Sequence, residues 1–326
     1  MSDDNLKALI VGCGNIAGGF DVDHNDLPLT HIGAYKHHGK FEVDVCVDPD
    51  KKIREGFSKY WQVKHSYSSI KELINLGLNF DVISICSSTS NHYLNVLDAI
   101  KLKPKLIFCE KPLASNYSDA IKIKDACKHA AIKLAVNHSR RWDSEIIKLK
   151  NKINIGKLGE IRSVIGFYNK GILNNGSHMI DLLLYLFNSL NIIATSSAVN
   201  DFNKNDPSIS ALLQTNSGLP IHLVAAHASD YSLFELEIIG SKKTLSMRDG
   251  GLNWSSRNII DSTRFKGYKH LTNNQYTKGC YDRTMINAVE NIYNSIKHNH
   301  DLLCTGDEAC KAHEICNEIL KITHNK

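Results

Sequence analysis

The chain of 326 residues lacks the long apolar segments of membrane proteins. No segment reaches the roughly 20 uncharged residues that span a bilayer, and the start, Met1 followed by SDDN, lacks the basic and apolar regions of a signal peptide. The nine cysteines include no Cys-x-x-Cys pair, and Cys46, Cys86 and Cys109 stand in apolar runs. These absences argue against disulfides, a structural metal site and a membrane partner, and they predict a soluble, cytoplasmic protein.

An excess of one charge is also missing. The chain has 39 Lys and Arg against 34 Asp and Glu, and its basic residues are spread along the sequence. Proteins dedicated to nucleic acids gather basic side chains that neutralise phosphates, so we expect no nucleic-acid partner. With 42% hydrophobic residues the chain can bury a large core, and its length predicts two domains.

The first half of the sequence alternates apolar runs with helical patterns. The runs predicted as strands buried on both faces are Leu6–Val11, Phe41–Val47, 82–86, Leu106–Cys109 and Lys133–Val136. The helical patterns between them are 70–76, 93–100 and 119–130. This alternation predicts an α/β fold built on a doubly wound parallel sheet.

A glycine-rich turn, GCGNIA, follows the first predicted strand. Gly12 permits a tight turn, Gly14 lets the backbone approach a pyrophosphate, and the small Ala17 lets helix and strand pack closely. The start of the helix then faces the phosphates, so we expect cofactor contacts from Gly12, Gly14, Asn15 and Ile16. The pattern alone also fits an ordinary turn, but its place in an alternating fold favours dinucleotide binding.

A polar segment interrupts the helix expected after this turn. Residues 20–30 read FDVDHNDLPLT and include Pro28, so they do not continue the helix smoothly. The amphipathic helix resumes at His31–His38. We interpret the segment as an inserted, solvated loop near the cofactor or substrate.

The second predicted strand ends at an acidic residue, Asp48. A carboxylate at this point accepts hydrogen bonds from the adenosine ribose, and Asp50 close behind would repel a ribose 2′-phosphate. The pair predicts NAD as the cofactor, although Lys51 and Arg54 would soften the repulsion and leave NADP open. Asp50 fits equally well as the N-cap of the next helix.

Polar residues also follow two later strands, at the edge where open parallel sheets bind ligands. Ser87 and Ser88 in the turn SSTSNH suit the nicotinamide-side ribose and the neighbouring phosphate, with His92 beside them; a serine-rich turn is equally a helix cap. Glu110 and Lys111 emerge with a proline from a buried strand, a costly place for charges outside a cleft. We expect cofactor contacts from the turn and from Glu110, and Lys111 is a candidate catalytic residue.

In this order along the chain, GCGNIA, SSTSNH, EKP and NNGSHMID at residues 174–181 resemble the Gfo/Idh/MocA family of glucose–fructose oxidoreductase and inositol dehydrogenase. The resemblance continues through GKLGEI, IGSKK and TGDE and covers nearly the whole chain. It implies a Rossmann domain at 1–138 and an α+β substrate and oligomerisation domain at 139–326, with an open, mostly antiparallel sheet. It also implies a homodimer or homotetramer.

The second half supports this division independently. Residues 160–168, 192–199, 219–226 and 234–239 are strand-like, without helices regularly between them. Two helical segments, at 282–297 and 307–322, close the chain and are candidates to pack on the first domain.

The resemblance gives Lys111 contact with the reacting oxygen and makes His178 a proton donor or acceptor. Oxidation of an alcohol independently requires a group that takes the hydroxyl proton, and a lysine buried beside a cofactor can have a sufficiently low pKa. Without the resemblance, His178 would be interpreted as a helix cap or a packed core residue. Asp181, one turn further on, suits two roles: it orients the ring, or it only stabilises the helix N-terminus by its charge.

The chain departs from the family pattern at Asn174, where the family usually has an aspartate. Asparagine binds a substrate hydroxyl but takes no proton. Either Lys111 alone handles the proton, or the substrate is not a simple polyol, or the enzyme works mainly as a reductase. Arg141 and Tyr168 are further candidates for substrate contacts, and Asn137 for the nicotinamide carboxamide. An Arg-Arg pair at a helix start, as at 140–141, is more often a solvated or ion-paired surface feature.

The sequence therefore predicts an NAD(P)-dependent oxidoreductase that acts on a sugar, an inositol or a nucleotide-linked sugar. The competing hypothesis is a non-catalytic regulator or sensor of NAD(H) with the same fold, which Asn174 favours and which Lys111 and His178 oppose. A third is a tightly held cofactor that is recycled between two sugars.

Overall fold

The computed structural model describes residues 5–22 and 27–324. The chain forms two compact units: unit 1 comprises Met1–Trp142 and Asp282–Lys311, and unit 2 comprises Asp143–Tyr281 and Ala312–Lys326. Residues 1–4, on which the expectation about a signal peptide depends, and residues 23–26 of the expected inserted loop lie outside the described residues. The predicted division of labour between 1–138 and 139–326 stays a prediction.

The helices and strands occur in three stretches. From residue 6 to residue 136 they are β1 (Leu6–Val11), α1 (His31–His38), β2 (Phe41–Val47), α2 (Lys51–Trp61), β3 (His65–Tyr67), α3 (Ile70–Asn75), β4 (Val82–Ile85), α4 (Thr89–Lys101), β5 (Leu106–Cys109), α5 (Tyr117–His129) and β6 (Lys133–Val136). From residue 144 to residue 278 they are α6 (Ser144–Asn154), β7 (Ile161–Tyr168), α7 (Ser177–Phe187), β8 (Asn191–Asn203), β9 (Asp206–Gln214), β10 (Pro220–Ala225), β11 (Phe234–Gly240), β12 (Lys243–Arg248), β13 (Asn253–Asp261), β14 (Lys269–Leu271) and β15 (Gln275–Lys278). The chain closes with α8 (Thr284–Lys297) and α9 (Gly306–His324).

Unit 1 is built on a parallel sheet with the strand order β3-β2-β1-β4-β5-β6. The apolar runs predicted as strands form β1, β2, β4, β5 and β6, and every residue of β4 and β5 is buried. Helices on both faces account for this burial, since a parallel sheet must be covered on each side. The predicted doubly wound Rossmann fold is confirmed, and its order reverses between β1 and β4, where such sheets bind ligands.

The helix after β1 is interrupted as predicted. A turn follows β1 and leads into a short 3-10 helix at Gly19–Asp21, and α1 begins at His31, as the sequence predicts. The amide of His31 donates to the carbonyl of Ile16 at 3.1 Å, and that of Ile32 donates to the carbonyl of Ala17 at 3.0 Å. Without residues 20–30, both bonds would join residues four positions apart, which is the α-helical spacing. The segment is therefore an insertion within one helix.

Asp21 closes this insertion. Its carboxylate accepts hydrogen bonds from the amides of Leu29 at 2.8 Å and Thr30 at 3.1 Å, and from the Thr30 hydroxyl at 2.5 Å. The hydroxyl of Thr30 in turn accepts the amide of Gly33 at 3.2 Å and caps α1. A Cβ at Gly33 would lie 2.2 Å from Asp21 Oδ2, so glycine makes room for the carboxylate.

Unit 2 contains a sheet in which β10 runs parallel to β7 while the other paired neighbours run antiparallel. The strand order is β14-β13-β12-β11-β7-β10-β9-β8, with β15 beside β13. Side chains of β7 alternate in burial, and a Cβ at Gly166 would lie 2.8 Å from Met179 Sδ, so the small residue admits helix α7 against the sheet. The predicted mostly antiparallel sheet is confirmed.

Some elements are absent from the sequence prediction. The short edge strand β3 and the polar strands β13 to β15 carry too few apolar residues to stand out. Helix α8 matches the predicted segment 282–297 and lies in unit 1. In the same unit, the carbonyl of Cys304 accepts a hydrogen bond from the amide of Val136 at 3.3 Å. Among the described residues, no helix combines the length and apolarity needed to cross a bilayer.

We expect Asp21→Ala to lower the free energy of unfolding by roughly 2–4 kcal/mol, because two amides and a hydroxyl lose their shared acceptor. Urea unfolding followed by circular dichroism measures the change. Asp44→Ala is the matched control, since Asp44 makes an exposed ion pair with Lys64 at 2.8 Å and should change stability by no more than about 1 kcal/mol. Equal, small effects of the two substitutions would contradict the role of Asp21.

Candidate functional site

The carboxyl ends of β1, β2 and β4 border a cavity of about 480 Å³ in unit 1. Its lining includes Gly12, Gly14, Asp48, Ser87 and Ser88. The structure thus brings five of the predicted cofactor-binding residues together at the switch point of the sheet.

Gly12 serves the fold of the turn. Its φ is +87°, and a Cβ there would lie 2.5 Å from the backbone nitrogen of Ser87. Its amide donates to the carbonyl of Val47 at 2.7 Å. Because glycine tolerates this φ and leaves room for the neighbouring turn, Gly12 joins β1, β2 and the turn after β4.

Gly14 has the opposite surroundings. It is exposed, and a Cβ built on it would meet no atom within 4 Å. Asn15 is exposed and Ile16 is half-buried beside it. The open space above Gly14 fits a backbone that a pyrophosphate approaches, as the pattern predicts. The helix start predicted to face the phosphates, however, is only one turn long, because the insertion follows it.

Asp48 has a structural partner on each carboxylate oxygen. Oδ2 accepts the amide of Cys13 in the glycine-rich turn at 2.9 Å, and Oδ1 accepts the amide of Asp50 at 2.9 Å. A carboxylate has about four acceptor positions, so both oxygens retain capacity for ribose hydroxyls. Asp50 caps α2 through the amides of Lys52 and Ile53, at 2.8 Å and 3.1 Å. The alternative interpretation of Asp50 as an N-cap is therefore confirmed.

The turn after β4 is held by its own side chains. Asn95 donates to Ser87 Oγ at 2.9 Å, while the exposed Ser88 pairs with Ser90 and Asn91. His92 is buried, with Nε2 lying 2.9 Å from the carbonyl of Ser87. The predicted cofactor contacts of Ser87 and Ser88 fit their position in the cavity and stay predictions.

His92 joins this turn to the EKP motif. Its Nδ1 lies 3.0 Å from the carbonyl of Pro112, and its Nε2 faces the Ser87 carbonyl. Both ring nitrogens therefore face backbone oxygens of the protein. His92 therefore holds the turn after β4 against the EKP motif. The predicted contact of His92 with a cofactor stays a prediction, without support from this geometry.

Glu110 and Asn137 meet at the ends of β5 and β6. Glu110 Oε1 accepts Asn137 Nδ2 at 2.6 Å and lies 2.9 Å from His31 Nε2, and its Oε2 accepts the amide of Lys111 at 3.3 Å. Burial in itself would raise the pKa of Glu110, but the hydrogen bonds from His31 and Asn137 and the charge of Lys111 hold the pKa below its usual value. The carboxylate is therefore ionised and orients both neighbours.

Asn137 has one polar atom left for a ligand. Its Nδ2 also lies 3.3 Å from Met285 Sδ, whereas its buried Oδ1 has no hydrogen-bond partner among the described residues. An unpaired buried carbonyl costs free energy, so a ligand that donates an N–H to it would be favoured. A nicotinamide carboxamide carries such a donor, and the residue fits the predicted group.

Arg141 is buried in unit 1. Its Nη1 donates to the carbonyl of Leu303 at 3.3 Å, and its charge helps to lower the pKa of Glu308, against the effect of burial and alongside hydrogen bonds from Thr305. Arg141 thus supports the connection that precedes α9. Its predicted substrate contact stays a prediction without a supporting geometry.

Unit 2 holds Asn174 and His178 on one short segment. A π-helical turn at Gly171–Gly176 carries Asn174 and leads directly into α7, which includes His178. Asp206 anchors this turn, because its carboxylate accepts the amides of Leu173 at 2.7 Å and Asn174 at 2.9 Å. The half-buried His178 ring stands edge-on to Phe234, with centroids 6.5 Å apart. The backbone at Asn174 is therefore rigid, whichever side chain it carries.

The position of Tyr168 does not support its predicted substrate contact. The side chain is 0% exposed, and its hydroxyl donates to the carbonyl of Ile209 and accepts the amide of Ile209, both at 2.8 Å. Burial raises the pKa of this phenol well above its usual value. Tyr168 is thus bonded to β9 within the core of unit 2. A buried tyrosine usually finds a hydrogen-bond partner for its hydroxyl, and here the partner is the backbone of Ile209.

Sequence reasoning missed the residues that support these side chains. Glu110 contacts His31, which is bonded in turn to Ser84 and through it to Tyr35. The backbone amide of Asn174 donates to Asp206. Ser84 was a detectable signal, since it is a polar residue within an apolar strand that needs a partner when buried. The partners of His31 and Asp206 depend on tertiary contacts that no local pattern reveals.

Comparison with known proteins supports the geometry of unit 1. Residues 6–138 match the Gfo/Idh/MocA family, described as an oxidoreductase family with an NAD-binding Rossmann fold. A myo-inositol 2-dehydrogenase from Thermotoga maritima is 36% identical over 117 residues, covering 36% of this chain and 33% of that protein. An inositol 2-dehydrogenase from Salmonella typhimurium is 29% identical over 195 residues, covering 56% of this chain and 55% of that protein. The chain thus spans about a third to about half the length of these curated relatives.

A solved structure extends the likeness to the whole fold. A dehydrogenase from Bordetella pertussis, in complex with NADH and UDP-GlcNAcA, matches with a TM-score of 0.80 and 16% identity, and the match covers 100% of this chain and 97% of that chain. At this identity the match establishes the fold alone. The family match covers residues 6–138, which include the glycine-rich turn and the EKP motif, so this part of the chain is similar to the NAD-binding Rossmann domain of the Gfo/Idh/MocA oxidoreductases.

Proposed function

We propose that this protein transfers hydride between NAD(H) and an alcohol or carbonyl carbon of a sugar, an inositol or a nucleotide-linked sugar. The observation that carries the proposal is the shared carboxylate of Glu110, which accepts Asn137 Nδ2 on one oxygen and the amide of Lys111 on the other. One buried group thereby orients both the proposed nicotinamide contact and the proposed acid/base residue. The names of the inositol 2-dehydrogenases among the relatives support the substrate class.

The residues of unit 1 fit a dinucleotide. The open face of Gly14 admits a pyrophosphate, Asp48 accepts ribose hydroxyls, and the unpaired Asn137 Oδ1 accepts a carboxamide N–H. When bound, the nicotinamide ring supplies the acceptor or donor for a hydride. The carboxylate of Asp48 favours NAD over NADP, since a 2′-phosphate would meet like charge there.

Lys111 is the proposed acid/base residue. The hydroxyl proton must leave when the carbinol carbon is oxidised, and the lysine amine takes it; in the reverse direction the ammonium returns it. The amide of Lys111 donates a hydrogen bond to the Glu110 carboxylate, which fixes the position of the Lys111 backbone. This rigidity favours a constant distance between Nζ and the reacting oxygen.

His178 is the proposed second proton carrier. Lys111 follows the buried strand β5 at the edge of the sheet where the cofactor is proposed to bind, so we assign it the larger share of proton transfer. Asn174 is proposed to bind a substrate hydroxyl through its side-chain amide.

The decisive experiment follows reduced nicotinamide by absorbance in mixtures of protein, NAD and candidate polyols, inositols and nucleotide sugars. An oxidoreductase turns over with at least one of them. A sensor would bind NADH, detected by fluorescence, and would show no turnover in either direction. A recycled cofactor would show reduction of the bound cofactor without reduction of added NAD.

We expect Gly14→Val to abolish NADH binding and leave the fold intact, because its side chain would fill the space proposed for the pyrophosphate without touching the protein. Gly12→Val is the matched comparison and should unfold the domain, since its Cβ would collide with Ser87 at a positive φ. Fluorescence titration and thermal unfolding measure the two effects. Unaltered affinity in a folded Gly14→Val protein would remove this turn from the site.

We expect the protein to bind NADH more tightly than NADPH, and Asp48→Asn to narrow the difference by removing the like charge. Titrating both cofactors by fluorescence measures the preference. Asp50→Asn removes the second charge expected to repel the 2′-phosphate and keeps the helix cap, so it should narrow the difference to a smaller extent. Tighter binding of NADPH to the unaltered protein would refute the assignment.

We expect Lys111→Ala to lower kcat by roughly two to four orders of magnitude with little change in NADH affinity. His178→Asn should cost less, and Asn174→Asp should raise an apparent pKa in the pH profile if His178 takes part, because a carboxylate stabilises the imidazolium. Steady-state kinetics on the true substrate rank the variants. Near-normal turnover of Lys111→Ala would overturn its proposed role.

A further inference from the structure

A series of buried polar side chains runs through unit 1 from α1 to the EKP motif. The Tyr35 hydroxyl lies 2.8 Å from Ser84 Oγ, which lies 3.1 Å from His31 Nδ1. His31 Nε2 lies 2.9 Å from Glu110 Oε1. Tyr35, Ser84 and His31 are each 0% exposed, so no solvent competes for these bonds. We call these three residues the buried triad.

The hydrogen-bond chemistry fixes the donor at the carboxylate. An ionised Glu110 only accepts, so His31 Nε2 carries a proton and donates it. His31 Nδ1 and the Tyr35 hydroxyl each pair with the Ser84 hydroxyl, which can both donate and accept. Every polar atom in the line is paired, and each bond polarises the next.

This line does not conduct protons to solvent. It ends at Tyr35, and burial raises the pKa of this phenol well above its usual value although the bond to Ser84 opposes the rise. A fully buried phenol that keeps its proton is a poor exit, so the buried triad holds Glu110 in place.

We propose that His31 is a positioning residue for Lys111, acting through Glu110. The inference rests on the proposed role of Lys111. His31 itself is held on both sides, since its ring packs on Phe108 of β5 with centroids 4.5 Å apart and its amide closes the helix across the insertion. A fixed ring fixes the carboxylate, whose other oxygen accepts the Lys111 amide.

The surroundings of Glu110 make this role testable by pH. Facing it are His31 from α1, Lys111 from its own segment, and the thiols of Cys86 and Cys109 at the ends of β4 and β5. Burial and the charge of Glu110 raise the pKa of both thiols, so they stay neutral. Burial raises the pKa of Glu110 and the hydrogen bond from His31 lowers it, so loss of this donor should raise the pKa. Glu110 would then become protonated at a higher pH than in the unaltered protein.

The first experiment needs no variant. Nitrogen-15 NMR of histidine-labelled protein, with His31 assigned from the His31→Gln spectrum, should show a ring protonated on Nε2. A ring protonated on Nδ1 alone would leave no donor for Glu110 and would overturn the inference, even if every substitution at this buried site prevented folding.

The second experiment compares substitutions. His31→Asn keeps an amide near Nδ1 and loses the contact with Glu110, so kcat should fall by roughly 10- to 100-fold and the acid limb of the kcat/KM profile should move to higher pH. His31→Gln places an amide near Nε2 and should restore most of the activity. Tyr35→Phe removes a hydroxyl that contacts Ser84 rather than Glu110, so it should move the acid limb less than His31→Asn does. A folded His31→Asn protein with reduced thermal stability and an unchanged acid limb would show a merely structural role and refute the proposal.

A readout without turnover separates this inference from the proposed function. Carbon-13 NMR of glutamate-labelled protein, with Glu110 assigned from Glu110→Gln, follows the titration of Glu110 directly. A higher pKa in His31→Asn supports the contact, even if no sugar is turned over and the proposed function fails. An equal pKa in the two proteins overturns the role of His31, even if Lys111→Ala confirms the proposed chemistry.

Discussion

The buried carboxylate of Glu110 is the constraint on which the rest of unit 1 depends. A charge at the end of a fully buried strand is expensive unless every neighbour compensates for it. Here the compensation comes from His31 on α1, Asn137 after β6 and the amide of Lys111. The strand ends are already joined by the backbone bonds from Glu110 to Ile85 and from Asn137 to Cys109, both at 2.9 Å, and the side-chain bonds add α1 to this arrangement. Such bonds specify the position of side chains more narrowly than apolar contacts do, which suits a site that must hold a reacting oxygen.

The insertion at residues 20–30 is tolerated because its two ends remain helical neighbours. The amides of His31 and Ile32 reach back to the carbonyls of the first turn, and Asp21 pairs the amides that the loop would leave open. The helical register is therefore kept across the insertion. His31, the first residue of α1, is placed where its ring contacts Glu110. A loop of another length could be closed in the same way, since the loop-closure cost grows slowly with length.

Much of the fold was predictable from the sequence, and the site was predictable only in part. Strands such as β1 and β5 were located at their observed bounds, because apolar runs between turn residues have few other solutions. Short or polar strands such as β3 and β15 were missed, since their pairing depends on neighbours distant in sequence. For the site, the motifs pointed to Gly14, Asp48 and Lys111. They did not reveal that Tyr168 lies in the core or that His31 contacts Glu110, because both facts arise from packing between separate elements.

The two glycines of the glycine-rich turn have different roles, one in folding and one in the proposed binding. Gly12 is surrounded by backbone, so any side chain there would disturb β1, β2 and the turn after β4. Gly14 faces open space, so its lack of a side chain contributes nothing to packing. This open face fits the approach of a pyrophosphate proposed for the turn. Asn137 Oδ1 gives the same argument in another form, since an unpaired buried acceptor has a cost that a bound donor would remove. Both features lie in unit 1 and fit the proposed dinucleotide, whose pyrophosphate would approach Gly14 and whose carboxamide would donate to Asn137 Oδ1.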